Sequence, residues 1–291
     1  MKNILLSRRG LNGGNMEKDR LFLCTFTKDA LKLIKEYGIG IEFNQFCISK
    51  SLDDGIIDRT VSIMKRNLTD LGIGTEQAIC HGPFTEITPM AIDHTFVETA
   101  RTRLEQAYRG CREVGVHRMV VHTGLIPDLY YPEWHVKQSS VFWKSFMEDK
   151  PDDFRLYIEN VLDPDPEPLR DIIDRIGDPR VGVCLDIGHA NASGRVSRGG
   201  TVKSWNSETD ADRRTSEGTE VYSWIRTLGP RIRHFHFHNN DGSYDAHGEV
   251  MDGTVDIPET LNLIRQECGE DFTVTVESHE AYRSIPYLLG L

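Results

Sequence analysis

Short runs of aliphatic, β-branched or aromatic residues recur along the whole chain, at a spacing that suits one repeated unit of strand and helix. They fall at residues 4–6, 39–43, 77–80, 118–121, 155–158, 181–185, 232–237 and 272–276, about 38 residues apart on average. Helical patterns fill the gaps. Residues 93–114 carry Phe96, Val97, Ala100, Leu104, Ala107, Tyr108 and Cys111 on one face, behind Asp93 as N-cap. Residues 54–71 align Ile57, Val61, Met64, Leu68 and Leu71. Thr27 precedes a helix running to Tyr37, with Gly38 where a C-cap belongs. Alternating strand and helix implies a parallel sheet covered by helices. Eight units without a break predict closure: an α/β chain forming a single (β/α)8 TIM barrel over residues 1–291.

One interval is abnormal. Residues 193–218 are polar and rich in Gly and Ser, with Val196, Val202, Trp205 and Ala211 as their apolar members. A connection of this length predicts an insertion after the sixth strand, either a lid or substrate-contacting loop or a segment without a role.

Composition narrows the function classes. With 45 acidic against 34 basic side chains, the formal charge is -11, which argues against a dedicated nucleic-acid binder. No early strand leads into G-x-G-x-x-G, so the usual dinucleotide site is not expected. Cys24, Cys47, Cys80, Cys111, Cys184 and Cys268 form no C-x-x-C pair and no disulfide framework, and they predict small buried thiols in a reduced cytoplasm. No apolar run reaches the roughly 20 residues of a membrane span, and the first residues are too short an apolar stretch for a secretion signal. A cytoplasmic protein without a membrane partner is the expectation. Nothing in the sequence speaks to oligomeric state.

The chemistry lies in where the polar residues fall. His81 ends the third strand, His122 the fourth, Glu159 the fifth, Asp186 the sixth, His236 the seventh and Glu277 the eighth. His189 follows Asp186, and Asp245 and His247 follow the seventh strand. In such a barrel the C-terminal strand ends converge on one mouth, where active sites of this fold sit. Imidazole and carboxylate are the ligands of Zn²⁺ and Mn²⁺, and a converging set of carboxylates repels itself unless cations intervene. In the seventh strand His234, His236 and His238 alternate with Phe235 and Phe237, so all three imidazoles share one face, and spacing does not choose the ligand among them.

Cys184-Leu185-Asp186-Ile187-Gly188-His189 resembles the C-L-D-x-x-H motif of the xylose-isomerase-like barrels, which include sugar isomerases and epimerases and the abasic-site nuclease endonuclease IV. Ile158-Glu159-Asn160, His81-Gly82-Pro83, His122-Thr123-Gly124, Glu277-Ser278 and the stretch from His236 through Asp241 to His247 resemble further motifs of the same group, so the likeness covers essentially the whole chain. It implies a central metal site of Glu159, Asp186, His236 and Glu277. It implies a second of His81 and His122 bridged by Glu159, and a third of His189, Asp245 and His247. Two or three divalent ions per chain, Zn²⁺ or Mn²⁺, follow.

The resemblance implies a metal-dependent isomerase or epimerase of a small sugar or sugar phosphate, with Glu159 and Glu277 as the acid–base pair through an enediolate. The alternative is an endonuclease IV-like phosphodiesterase acting at abasic sites, since all nine ligand positions are filled. DNA would need basic loops at the mouth. Lys50, Arg195, Arg198, Lys203, Arg213 and Arg214 are the candidates, and the acidic run of Asp163, Asp165 and Glu167 opposes them. A carbohydrate is therefore the favoured partner over nucleic acid.

Overall fold

A computed structural model describes residues 15–193 and 218–291. Eight parallel strands close in sequence order into a barrel: β1 (Leu21–Cys24), β2 (Gly40–Phe43), β3 (Ala78–His81), β4 (Arg118–His122), β5 (Arg155–Glu159), β6 (Val181–Asp186), β7 (Ile232–Phe237) and β8 (Thr273–Val276). β8 returns to pair with β1, so no strand edge is left open. The helices wrapping it include α1 (Ala30–Tyr37), α2 (Ile56–Leu71), α3 (His94–Val114), α4 (Pro132–Met147), α5 (Glu167–Ile176), α6 (Ile187–Ser193), α7 (Glu220–Leu228), α8 (Ile257–Cys268) and α9 (Ser284–Leu289).

Seven of the eight expected strands stand where the sequence puts them. The expected first strand at 4–6 lies outside the described residues, and the strand that pairs with β2 and β8 is Leu21–Cys24. Its four residues are all buried, as are those of β2 and β3, and the short apolar run at 4–6 stands closer to the expected spacing. The expected insertion also lies outside the described residues, between Ser193 and Gly218. Asp93 caps α3 by accepting from the Thr95 amide at 2.8 Å, and Gly38 closes α1 at φ 66°. Thr27 precedes α1, which starts at Ala30. Its hydroxyl donates to the Ser278 carbonyl at 2.6 Å, tying the β1 loop to the β8 loop. All six cysteines are free thiols, five of them buried.

The strand period divides the apolar residues into two cores. Leu156 and Ile158 face outward into the large core shared with the helices, while Tyr157 faces the barrel axis with Phe22, Ile79, Val120 and Cys184. Each inward column changes character along its length. β4 runs Arg118, Val120, His122 and β5 runs Arg155, Tyr157, Glu159: basic at one end, apolar in the middle, ligand-type at the other. No helix among the described residues is long and apolar enough to cross a membrane.

Candidate metal centre at the strand ends

All nine residues singled out in the sequence converge at the C-terminal mouth. Glu159 is their hub. Its Oε2 lies 3.1 Å from His81 Nε2 and 3.5 Å from His122 Nε2, and its Oε1 lies 3.2 Å from His236 Nδ1 and 3.4 Å from His189 Nδ1. His236 Nδ1 is also 2.9 Å from Glu277 Oε2 and 4.0 Å from Asp186 Oδ2. Beyond Asp186, Asp245 Oδ2 is 3.3 Å from His189 Nε2 and 2.9 Å from His247 Nε2. Among the groups whose ligand atoms lie within 4.8 Å of one another, three hold these nine residues: Glu159, Asp186, His236 and Glu277; His81, His122 and Glu159; and His189, His238, Asp245 and His247. Two more, Glu42 with His81 and His236 and Cys184 with His234 and His236, lie beneath them.

Local structure explains how the strands deliver these groups. Asn160 donates to the Asp186 carbonyl at 3.0 Å and accepts from its amide at 2.9 Å, locking the end of β5 to the end of β6. Gly188 has to be glycine here, since a Cβ would come 2.0 Å from the His238 ring. His247 holds a left-handed backbone (φ 45°), an uncommon cost for a non-glycine residue, and that turn returns its ring over Asp245. Of the acidic run after β5, Asp163 turns inward. It is buried and accepts from Thr123 Oγ1 at 2.7 Å, so it joins the β4 and β5 loops rather than repelling a substrate.

The imidazole partners set the tautomers. His81 Nδ1 donates to the Gly82 carbonyl at 2.9 Å, His189 Nδ1 to the Asn160 carbonyl at 2.9 Å, and His247 Nδ1 to the Glu277 carbonyl at 2.6 Å. A carbonyl only accepts, so each Nδ1 bears hydrogen and each neutral ring turns the Nε2 lone pair on a carboxylate. Lone pair facing carboxylate is repulsive until a proton or a cation lies between. Several buried atoms aimed into this space, including Glu159 Oε1, Asp186 Oδ2, Glu277 Oε2 and Asp245 Oδ1, make no hydrogen bond. The donor set therefore fits divalent cations, with backbone carbonyls and carboxylates orienting the rings from behind.

Without a cation, protons take that place. Burial opposes protonation of His236, but the surrounding Cys184, Glu277, Glu42 and Glu159 outweigh it and hold its pKa well above the usual range. Burial is likewise outweighed at His81, chiefly by Cys47 and then Glu159, and at His189 by Asp186, Asp245 and Glu159, so both are raised. His247 rises to about 9 because Asp245 outweighs its burial. Burial would raise Glu159, yet His236, His122 and His189 hold it well below the ordinary carboxylate range. His122 goes the other way, pulled down to about 3 chiefly by burial, and is a neutral ligand-type ring at neutral pH.

Two residues that spacing left unassigned belong here. His238 Nε2 lies 3.0 Å from Asp186 Oδ1 and 3.5 Å from Asp245 Oδ1, bridging the central and third groups. Glu42, fully buried on β2, lies beneath the centre, with Oε2 3.2 Å from both His236 Nε2 and His234 Nε2 and accepting from Thr275 Oγ1 at 2.5 Å. The signal for Glu42 was a lone carboxylate inside an apolar strand. His234 points down toward Glu42 and Thr273 and away from the mouth. Two exposed aromatic rings wall the entrance. Phe84 stacks on His122 at 4.4 Å, and Phe26 packs edge-on to His247 at 5.8 Å.

A family model for the xylose isomerase-like TIM barrel matches residues 31–286. An uncharacterized protein of Methanocaldococcus jannaschii is 24% identical over 69% of this chain, and the chain spans 64% of the length of that curated relative. The solved structure of a D-tagatose 3-epimerase-like protein superposes with a TM-score of 0.66 at 19% identity, covering 92% of this chain and 94% of that one. Endonuclease IV from Thermus thermophilus superposes at 0.55 with 14% identity, covering 93% and 96%. At these identities the likenesses show a shared fold.

Proposed function

This chain belongs to the xylose isomerase-like TIM barrel family, and from that premise we propose that it is a divalent-metal-dependent isomerase or epimerase of a small sugar or sugar phosphate. One observation carries the reading. Glu159 on β5 and Glu277 at the end of β8 reach the same point from different sides of the mouth, in one group with Asp186 and His236. Glu159, Asp186, His236 and Glu277 would hold one ion, His81, His122 and Glu159 a second, and His189, His238, Asp245 and His247 a third. Bound Zn²⁺ or Mn²⁺ would supply Lewis-acid polarisation of a carbonyl oxygen.

The chain's own residues do the rest. One glutamate takes the proton next to the carbonyl, and the other, in its protonated form, delivers its own proton from the far side, moving the sugar through an enediolate. Exchange with solvent then resets both. His236, gripped by Glu42 through Nε2, keeps Nδ1 aimed between the two glutamates. Phe84 and Phe26 offer apolar faces against which the C–H side of a sugar ring packs and from which bulk water is excluded. The D-tagatose 3-epimerase-like relative suggests a small ketose as the substrate class.

A second reading, a phosphodiesterase acting at abasic sites in DNA, is favoured by the third group of His189, His238, Asp245 and His247. The charge of the mouth weighs against it. Among the described residues of these loops, Lys28 pairs with Glu280 at 2.9 Å and Arg283 with Glu249 at 2.6 Å. Asp241, Asp245, Glu249 and Asp252 crowd the loop after β7, and a duplex needs cations there.

The test is turnover of a panel of ketoses, aldoses and their phosphates in D₂O with Mn²⁺, Co²⁺ or Zn²⁺. Deuterium is expected on a sugar carbon, and Glu277→Gln is expected to lower the rate by about 10²–10⁴-fold with metal content measured alongside. Catalytic cleavage of abasic-site DNA with no isomerised sugar from the panel would replace this reading with the second.

A further inference from the structure

We propose that the opposite end of the barrel carries a second ligand site, a cleft for a phosphate-class oxyanion formed by Arg118, Arg155 and Arg233. The cleft has a volume of about 330 Å³, with Tyr157 among its lining residues. It lies at the N-terminal strand ends, so neither the metal reading nor the sugar reading bears on it.

The sequence spends unusual effort on this end. Arg118 and Arg155 are ladder partners at the first positions of β4 and β5, and Arg180 precedes β6 beside them. Like charges directly abreast in a sheet are destabilising. Arg180 is discharged by Asp178 at 2.6 Å. Arg118, Arg155 and Arg233 pair with no carboxylate among the described residues, although the chain as a whole carries 45 acidic side chains. Arg118 donates to the Glu76 and Ala78 carbonyls and Arg155 to those of Asp152 and Phe154, contacts that hold the guanidinium groups without neutralising them. Asp271 is the acidic member of the lining, leaving the cleft positive.

Three local devices aim the cations. Gly40 leaves the space that the Phe22 ring fills, since a Cβ there would come 2.3 Å from that ring, and the Arg118 guanidinium lies over Phe22 at 4.9 Å. Burial holds the Arg118 pKa below its usual value, the cost of a guanidinium kept out of water. Arg233 is the extra residue of a β-bulge: Val183 pairs with Ile232 and Cys184 with His234, so Arg233 has no ladder partner. Bulges re-aim side chains, and Gly182 makes the room, because a Cβ there would come 2.7 Å from Arg233 Cγ. The Tyr157 hydroxyl makes no hydrogen bond among the described residues and adds an uncharged donor.

Three planar forks from three strands supply more donors than the two oxygens of a carboxylate use. A tetrahedral oxyanion offers an oxygen to each. Inorganic phosphate is the probe. Titrated into the metal-loaded protein at fixed ionic strength, it should bind saturably in the millimolar range and raise the melting temperature. The double variant Arg155→Gln/Arg233→Gln should keep its metal content, melt no lower than the parent without phosphate, and bind phosphate about tenfold or more weakly. Acetate at equal ionic strength should not substitute. Should the double variant fail to fold, Arg233→Gln alone, at the exposed bulge, is expected to weaken phosphate severalfold. Unchanged phosphate affinity in a folded variant overturns the site, as does equal protection by acetate or the absence of saturation below about 50 mM, an ionic-strength effect only.

Discussion

Replacing Glu42 by Gln asks whether the carboxylate beneath the centre sets the tautomer of His236. Glu42 Oε2 receives His234, His236 and Thr275, while Oε1 lies 3.1 Å from His236 Nε2. Gln keeps the shape and one acceptor but puts an NH₂ where Oε1 was, facing the His236 N–H. Two outcomes are open to the chain. The NH₂ stays unsatisfied in a fully buried site, at about 1–3 kcal/mol. Otherwise the proton of His236 moves to Nδ1, which then presents N–H to Glu159 and Glu277 and loses the lone pair a cation needs. Outer partners of metal-bound histidines are worth about 10–100-fold in affinity, or about 1.4–2.7 kcal/mol. A competition titration against a chromophoric chelator should show that loss, and melting curves of the chelated protein should show a fall of a few degrees. Affinity within about twofold of the parent, in a protein melting at the same temperature, would refute the role given to Glu42.

The purified protein should carry at least two divalent ions per chain, and elemental analysis finding fewer than one after chelator-free purification would defeat the metal reading. Loading the metal-free protein near neutral pH should release protons, because His81, His189, His236 and His247 hold them in their place; calorimetry in buffers of different ionisation enthalpy counts them, and zero release would contradict this. The pH profile of the metal-free protein has a fixed sign. His247 is raised from 6.5 to about 9, so its contribution is complete below about pH 6.5 and lost as pH rises through about 9, and a melting temperature flat across that interval would count against the pairing. Gly188→Ala drives a methyl into the His238 ring, so a cost of about 1–3 kcal/mol and loss of the third group's ion are expected; normal metal content would show that the ring can move aside.

The barrel was legible because short aliphatic, β-branched or aromatic runs recur between helical patterns, and the mouth because ligand-type residues sat at the ends of successive strands. β1 escaped because the apolar run at 4–6 stands at the expected spacing, not because of its burial, which β2 and β3 share, and Phe22 announces its inward position only beside Ile79 and Val120. Glu42 escaped for a different reason. It is on the wall of the barrel below its rim, and its importance comes from His236 and Thr275, more than 190 residues away in sequence. His234 and His236 of β7 and His238 just beyond it show the limit of spacing. They share a face, yet the depth of each in the barrel gives it different work: His234 with Glu42, His236 with the central carboxylates, His238 with Asp186 and Asp245. Depth depends on neighbouring strands, and one strand's sequence does not contain it.

Charge balance ties these placements to the number of ions. Glu42, Glu159, Asp186, Asp245 and Glu277 are five carboxylates in one buried region, and isolated buried charge of that size is not tolerated. In the metal-free protein His81, His189, His236 and His247 are the rings whose raised pKa values answer it with protons. Two divalent ions deliver the same four positive charges that those four imidazolium groups carry, so exchanging protons for two ions leaves the region electrically as it was. A third ion overshoots the five carboxylates by one charge and is balanced only when an anion enters with it. The expected outcome of elemental analysis on this balance is two ions per chain, with a third retained only when an anion such as phosphate is present. Three ions retained without any anion would contradict it.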